Sequence, residues 1–104
     1  MKELLNQVRI TFPARGENEA FARLVAAGFL MNLGVRTTDL ADIKTMVSEA
    51  VTNAIVHGYR DTEGKKDVIL EMKFYSDRTL SLSVTDHGRA QVQVRMQLKY
   101  LLYL

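Results

Sequence analysis

The 104-residue chain contains no cysteine. Disulfides, thiolate metal sites and a cysteine nucleophile are therefore excluded, and the composition suits a reducing compartment. No run approaches the ~18 apolar residues of a membrane-spanning helix. The start, Met1-Lys2-Glu3-Leu4-Leu5-Asn6, lacks the apolar stretch of a secretory signal. A cytoplasmic protein without a membrane partner is expected. An excess of charge of one sign is also missing: 14 Lys and Arg face 12 Asp and Glu, for a net +2, and the longest basic runs are pairs such as Lys65-Lys66. A nucleic-acid footprint needs cations clustered on one face, so no direct nucleic-acid partner is expected. Internal repeats and low-complexity segments are absent. Apolar residues at 47% and charged residues at 25% are ordinary for a soluble globular chain. The length suits one domain over residues 1–104.

Periodicity sets out the elements. Val8, Ile10 and Phe12 alternate with Arg9 and Thr11, predicting a half-buried strand within residues 4–12 that Pro13 closes. Phe21, Leu24, Val25, Gly28, Phe29 and Leu33 recur at helical spacing, predicting a helix over 17–33. Asn18 is its expected N-cap, Gly34 its stop, and Gly28 a point of close packing. A second helix is predicted over 39–57, with Thr38 as N-cap and Gly58 as terminator. Its buried stripe would be Leu40, Ile43, Val47, Ala50, Val51 and Ala54. Residues 60–66 read as a polar loop. Two strands follow, with Val68, Leu70, Met72 and Phe74 on one parity and Leu80, Leu82 and Val84 on the other strand's inner parity, joined at Ser76-Asp77-Arg78 as a hairpin. These elements predict an α+β two-layer sandwich, helices on one face of a mostly antiparallel sheet.

The chemistry-bearing residues cluster on the second helix. Glu49, Asn53 and His57 are four residues apart, which makes them neighbours along one side. The row flanks the predicted buried stripe, where a carboxylate can work as a general base and an amide oxygen can ligate Mg²⁺. A plain polar rim to the core explains Glu49 as well, and His57 also suits the cationic preference of a helix C-terminus. Asp86 is a second pointer. It continues the parity of Leu80, Leu82 and Val84, so it should face inward, where a carboxylate is costly unless partnered. The exocyclic N–H₂ of adenine is one such partner, and Gly88 would let backbone approach a flat ring. Ordinary turn chemistry at Asp86-His87-Gly88 is the alternative.

These two motifs, in this order, resemble the histidine-kinase-like (GHKL, or Bergerat-type) ATPase fold of DNA gyrase, heat-shock protein 90 chaperones, sensor histidine kinases and mismatch-repair ATPases. Ser48-Glu49-Ala50-Val51-Thr52-Asn53-Ala54-Ile55-Val56-His57-Gly58-Tyr59 is similar to the N-box of its sporulation anti-sigma kinase branch. The segment from Phe12-Pro13-Ala14-Arg15 to Ala22-Arg23 is similar to that branch's first strand and helix. The resemblance covers about residues 8–90. It implies a serine/threonine kinase that binds ATP and Mg²⁺, holds a sporulation sigma factor inactive as a homodimer, and phosphorylates a serine of an anti-anti-sigma protein. By the same resemblance Glu49 is the catalytic base, Asn53 the Mg²⁺ ligand and Asp86 the adenine-binding carboxylate. His57, Gly58 and Gly88 lie beside the nucleotide, and Arg23 contacts both protein partners.

The chain departs from that pattern after Gly88, where Arg89-Ala90 stands in place of a further glycine. No glycine-rich lid or phosphate-wrapping motif follows. Residues 91–104 instead alternate Val92, Val94, Met96, Leu98 and Tyr100 with Gln91, Gln93, Arg95, Gln97 and Lys99, the period of a strand that could join the sheet. Such a chain carries the adenine and Mg²⁺ half of a site without the phosphate half, and weak or absent ATP turnover is the expectation. A sigma-binding module that needs no nucleotide is the competing reading.

Overall fold

The computed structural model describes residues 2–60, 67–86, 89–99 and 101. Its elements run β1 (Leu4–Pro13), α1 (Asn18–Leu33), α2 (Thr37–Arg60), β2 (Asp67–Tyr75), β3 (Thr79–Asp86) and β4 (Arg89–Gln97). The strands form one sheet in the order β1-β2-β3-β4, every neighbouring pair antiparallel. Both helices pack on one face, as the α+β sandwich predicts.

The strict alternation in β2 and β3 produces this layering. Val68, Leu70, Met72 and Phe74 meet Leu80, Leu82 and Val84 beneath the helices, all essentially inaccessible. Their neighbours on the opposite parity are half-buried and largely polar. From α2 the core takes Ile43, Val47, Ala50, Val51, Ala54 and Ile55. Leu40 is only partly buried, and Ile55 joins a stripe that sequence spacing assigned without it.

α1 corrects the predicted phase. Its buried side is Ala22, Ala26, Phe29, Leu30 and Leu33, while Phe21 and Leu24 are exposed. The helix carries two apolar stripes, and the one rich in alanine allows the closer approach to the layer beneath. Gly28 is not a packing contact, because a Cβ there would meet nothing within 4 Å. Asn18 is not the N-cap. Glu17 occupies that position, and Asn18 Nδ2 donates to the Pro13 carbonyl at 2.9 Å.

Gly34 does end α1. It adopts φ 73°, and its N–H reaches the Met31 carbonyl while the Val35 N–H reaches that of Leu30, the closure that a left-handed residue permits. The turn is short, so α2 runs back antiparallel to α1. Thr38 lies inside the first turn of α2 rather than capping it, and the helix continues through Gly58 to Arg60. A glycine stops a helix where the chain needs a left-handed residue. Among the described residues Gly34 is the glycine with positive φ.

β4 adds the fourth strand. Leu80 pairs with Met96, Leu82 with Val94 and Val84 with Val92, but Thr85 pairs with Ala90. Gln91 is therefore an extra residue in β4, a β-bulge of the kind that re-aims a side chain. Of the loop predicted over 60–66, Arg60 instead ends α2 and the rest lies outside the described residues, as do 100 and 102–104 of the tail, while Leu101 bridges to Val35.

Candidate nucleotide site

α2 lies along the β4 side of the sheet, and three contacts fix its direction. Near its start, Asp39, Asp42, Ile43 and Met46 line one cavity with Met96, Gln97, Leu98 and Lys99. Near its end, His57 Nδ1 lies 3.3 Å from Gln91 Nε2, an arrangement in which the amide N–H donates and the ring nitrogen accepts. Along its flank, the Ser48 hydroxyl donates to Glu19 of α1. The last turns of α2 consequently reach the end of the sheet where Asp86 pairs with Arg89.

Asp86 faces the helix layer, as its parity requires. It is 4% exposed and is the charged residue that the fold buries among the described residues. Carboxylate oxygens accept hydrogen bonds, so the acceptor at this end of the sheet suits a ligand amino group that donates. Glu49, Asn53 and His57 are all exposed. Glu49 is therefore more exposed than its place beside the predicted buried stripe suggests. At about 100° per residue, the burial of Val51 and Ile55 turns the buried face of α2 away from it. The row starts on the outer surface at Glu49 and winds towards β4, where His57 meets Gln91. Glu49 and Asn53 line a cleft of about 340 Å³ with Ser48 and Thr52. Neither forms a side-chain hydrogen bond or ion pair among the described residues.

Around Arg23 a second cleft of about 360 Å³ is lined by Arg23, Ala41, Lys44, Thr45, Ser48 and Glu49. Glu19 organises it by accepting from Ser48 and lying 3.8 Å from the Arg23 guanidinium. The clefts share Ser48 and Glu49, which places them next to one another along α2. Gly58 lies within the last turns of α2, and Gly88 lies outside the described residues.

Sequence reasoning passed over Gln91, Glu19 and Lys44 as site residues. Only the Glu19–Arg23 spacing of four on α1 carried a readable signal. The bulge at Gln91 depends on strand register, which no local pattern in residues 89–92 announces.

The residues present fit ATP and Mg²⁺ in part. A buried carboxylate suits an adenine amino group, and an exposed amide oxygen suits a hydrated Mg²⁺. No group of three or more His, Cys, Asp or Glu that could hold a metal alone occurs among the described residues. Asn53 would accordingly share the ion with phosphate and water.

A buried aspartate ends a hairpin strand at the end of the sheet reached by the last turns of the helix that bears Glu49 and Asn53. Residues 12–99 match the family model of the histidine kinase-like ATPase domain, and the chain belongs to that family. Within it, the chain is similar to proteins named anti-sigma F factor. It is 47% identical to that of Clostridium perfringens strain 13 over 83 residues, 80% of this chain and 58% of that protein. It is 43% identical to that of Shouchella clausii over 86 residues, 82% of this chain and 57% of that protein. It is 41% identical to that of Thermoanaerobacter pseudethanolicus over 87 residues, 84% and 59% of the two chains. The chain thus spans somewhat more than half the length of these curated relatives. No helix among the described residues is long and apolar enough to cross a membrane.

Proposed function

We propose that this chain is the adenine- and Mg²⁺-binding part of a cytoplasmic anti-sigma serine/threonine kinase. It binds a sporulation sigma factor and an anti-anti-sigma protein and acts as a homodimer. The observation that carries the reading is the buried carboxylate of Asp86, at the end of the sheet reached by the helix that presents Glu49 and Asn53. The fold keeps this carboxylate inside an otherwise apolar layer, and a function that needs an acceptor there accounts for its place.

Asp86 accepts from the adenine amino group. Asn53 offers its amide oxygen to Mg²⁺, and His57, Gly58 and Gly88 border the nucleotide. Mg-ATP, when bound, supplies the phosphoryl group and the charge neutralisation that its transfer needs. Glu49 takes the proton of the acceptor serine hydroxyl, and its exposed position leaves it open to a protein substrate. Arg23 contacts the protein partners. Phe21 and Leu24 stand exposed beside it, Leu24 at 70%, and clustered exposed apolar side chains of this kind mark interaction surfaces.

Residues 89–104 contain no glycine to cradle phosphates, and these 104 residues assayed alone are expected to bind Mg-ATP weakly and to turn it over slowly or not at all. Calorimetric titration with Mg-ATP tests the site. Saturable binding that Asp86→Asn abolishes, with circular dichroism unchanged, supports it. Binding indifferent to Asp86→Asn removes the adenine assignment. Sigma-factor binding without any nucleotide effect would favour the nucleotide-independent module. Appreciable phosphorylation of an anti-anti-sigma serine would contradict the weak-turnover reading.

A further inference from the structure

We infer that the open edge of β4 takes up one strand from an acidic protein segment, with a carboxylate beside Arg95 and an apolar side chain seated between β4 and α2. The inference goes beyond the nucleotide reading, because it needs neither ATP nor Asp86.

The order β1-β2-β3-β4 leaves β1 and β4 as the edges of the sheet among the described residues. An edge strand presents unpaired N–H and C=O groups to which a further strand can bond. The two edges differ in charge. In β1 the guanidinium of Arg9 is committed to Glu71 at 3.5 Å, and Pro13 has no N–H to give. Residues 89–99, by contrast, hold Arg89, Arg95 and Lys99 and no Asp or Glu. Arg89 stands opposite Asp86, whereas Arg95 stands opposite Ser81 on the other face of the sheet, and Ser81 opposite Lys73. Glu71, one pair further along β2, already lies between Arg9 at 3.5 Å and Lys73 at 3.6 Å. Arg95 is exposed and forms no hydrogen bond or ion pair among the described residues. Opposite charges directly across paired strands attract and like charges repel. The β4 edge therefore suits an acidic strand and resists pairing with a second copy of itself.

The helix side of the same edge is apolar and incompletely covered. Val92, Val94 and Met96 are only half-buried, as is Met46 on α2. At the Met96 end a cavity of about 260 Å³ opens between strand and helix, with Ile43, Met46, Met96 and Leu98 as its apolar lining. The charges around it balance, Arg36 and Lys99 against Asp39 and Asp42, and Arg36 is held by Asp39 at 3.3 Å. The cavity accordingly favours an uncharged side chain.

The two faces together set a register. Side chains alternate faces along a strand, so the residues opposite Arg95 and Met96 are consecutive in the docked segment. The first is acidic and lies on the outer face. The second is apolar and sits at the cavity mouth. Continued alternation lays further apolar side chains beside Val94 and Val92, and the bulge at Gln91 breaks the regular edge beyond them. Main-chain hydrogen bonds to β4 would hold the segment, while Arg95 and the cavity select it.

The test uses the 104-residue chain without nucleotide and three fluorescent peptides. One alternates glutamate with valine and leucine, one has lysine at every glutamate position, and one gathers the glutamates of the first into a single block. Anisotropy should show the alternating glutamate peptide binding about fivefold tighter than the lysine peptide, the scale of a partly exposed ion pair. The block peptide, with equal charge and no alternation, should bind more weakly than the alternating one. Arg95→Gln should remove the preference for glutamate, and Arg95→Glu should reverse it; both changes are at an exposed position. Amide hydrogen exchange should slow in β4 and stay unchanged in β1 when the alternating glutamate peptide is added. Equal binding of the three peptides, no binding at millimolar peptide, a preference that survives Arg95→Glu, or protection in β1 instead of β4 would overturn the proposal. Each of these outcomes leaves Asp86-dependent nucleotide binding to be judged by its own titration.

Discussion

Asp86 concentrates the tension between stability and function in one side chain. A buried carboxylate is costly unless partnered, whereas an amide of the same shape loses the charge and puts an N–H₂ donor where one acceptor oxygen stood, opposing an adenine amino group. Asp86→Asn should leave stability unchanged within about 1 kcal/mol while abolishing nucleotide binding, and urea unfolding beside calorimetry separates the two. Asp77 shows the opposite situation, a fully exposed carboxylate held by its turn. The Thr79 hydroxyl and backbone N–H, the latter at 3.0 Å, hold its pKa below the ordinary 3.8. Its contribution to stability is therefore present above the unfolded value and is lost as pH falls through the lower folded value. An NMR titration should find Asp77 below 3.8 in the native chain and nearer the ordinary value in Thr79→Val, which keeps only the backbone donor.

At the scale of the elements, the strands were readable and the helix faces less so. The alternation in β2 and β3 fixes which side chains lie under the helices, and a one-residue slip would have buried Glu71, Lys73, Thr79, Ser81, Ser83 and Thr85. That same parity made the burial of Asp86 legible. α1 misleads because it bears two apolar stripes, and only packing chooses between Ala22–Ala26 and Phe21–Leu24. Glu49 and Asn53 could be placed on α2 from spacing. Their exposure depends on Ile55, whose burial becomes visible only when the sheet is in place. Gly28 gives this distinction a direct test. It is helical, exposed and surrounded by open space, so Gly28→Ala should stabilise the chain by about 0.5–1 kcal/mol through the lower entropy cost of a helical alanine. A loss of stability on chemical denaturation would show that Gly28 meets a neighbour after all.

For the whole molecule, the decisive property is that one helix spans the sheet from the Lys99 end of β4 to the Gln91 bulge, so its last turns and Asp86 share one end of the layer. A ligand held between them binds the folded chain and not the unfolded one, and must raise the unfolding free energy by linkage. At a hundredfold excess over its dissociation constant the gain is about 2.7 kcal/mol. For a chain of this size that is a rise of about 10 °C or more in Tm. Mg-ATP should produce such a shift, ATP with EDTA a smaller one if Asn53 holds Mg²⁺, and Asp86→Asn none. Mg-GTP provides the sharpest comparison. Guanine carries a carbonyl oxygen where adenine carries its amino group, and a carboxylate repels that oxygen. Differential scanning calorimetry should therefore show Mg-GTP leaving Tm unchanged. An equal shift with both nucleotides would mean that phosphate contacts alone hold the ligand and that Asp86 is buried for another reason.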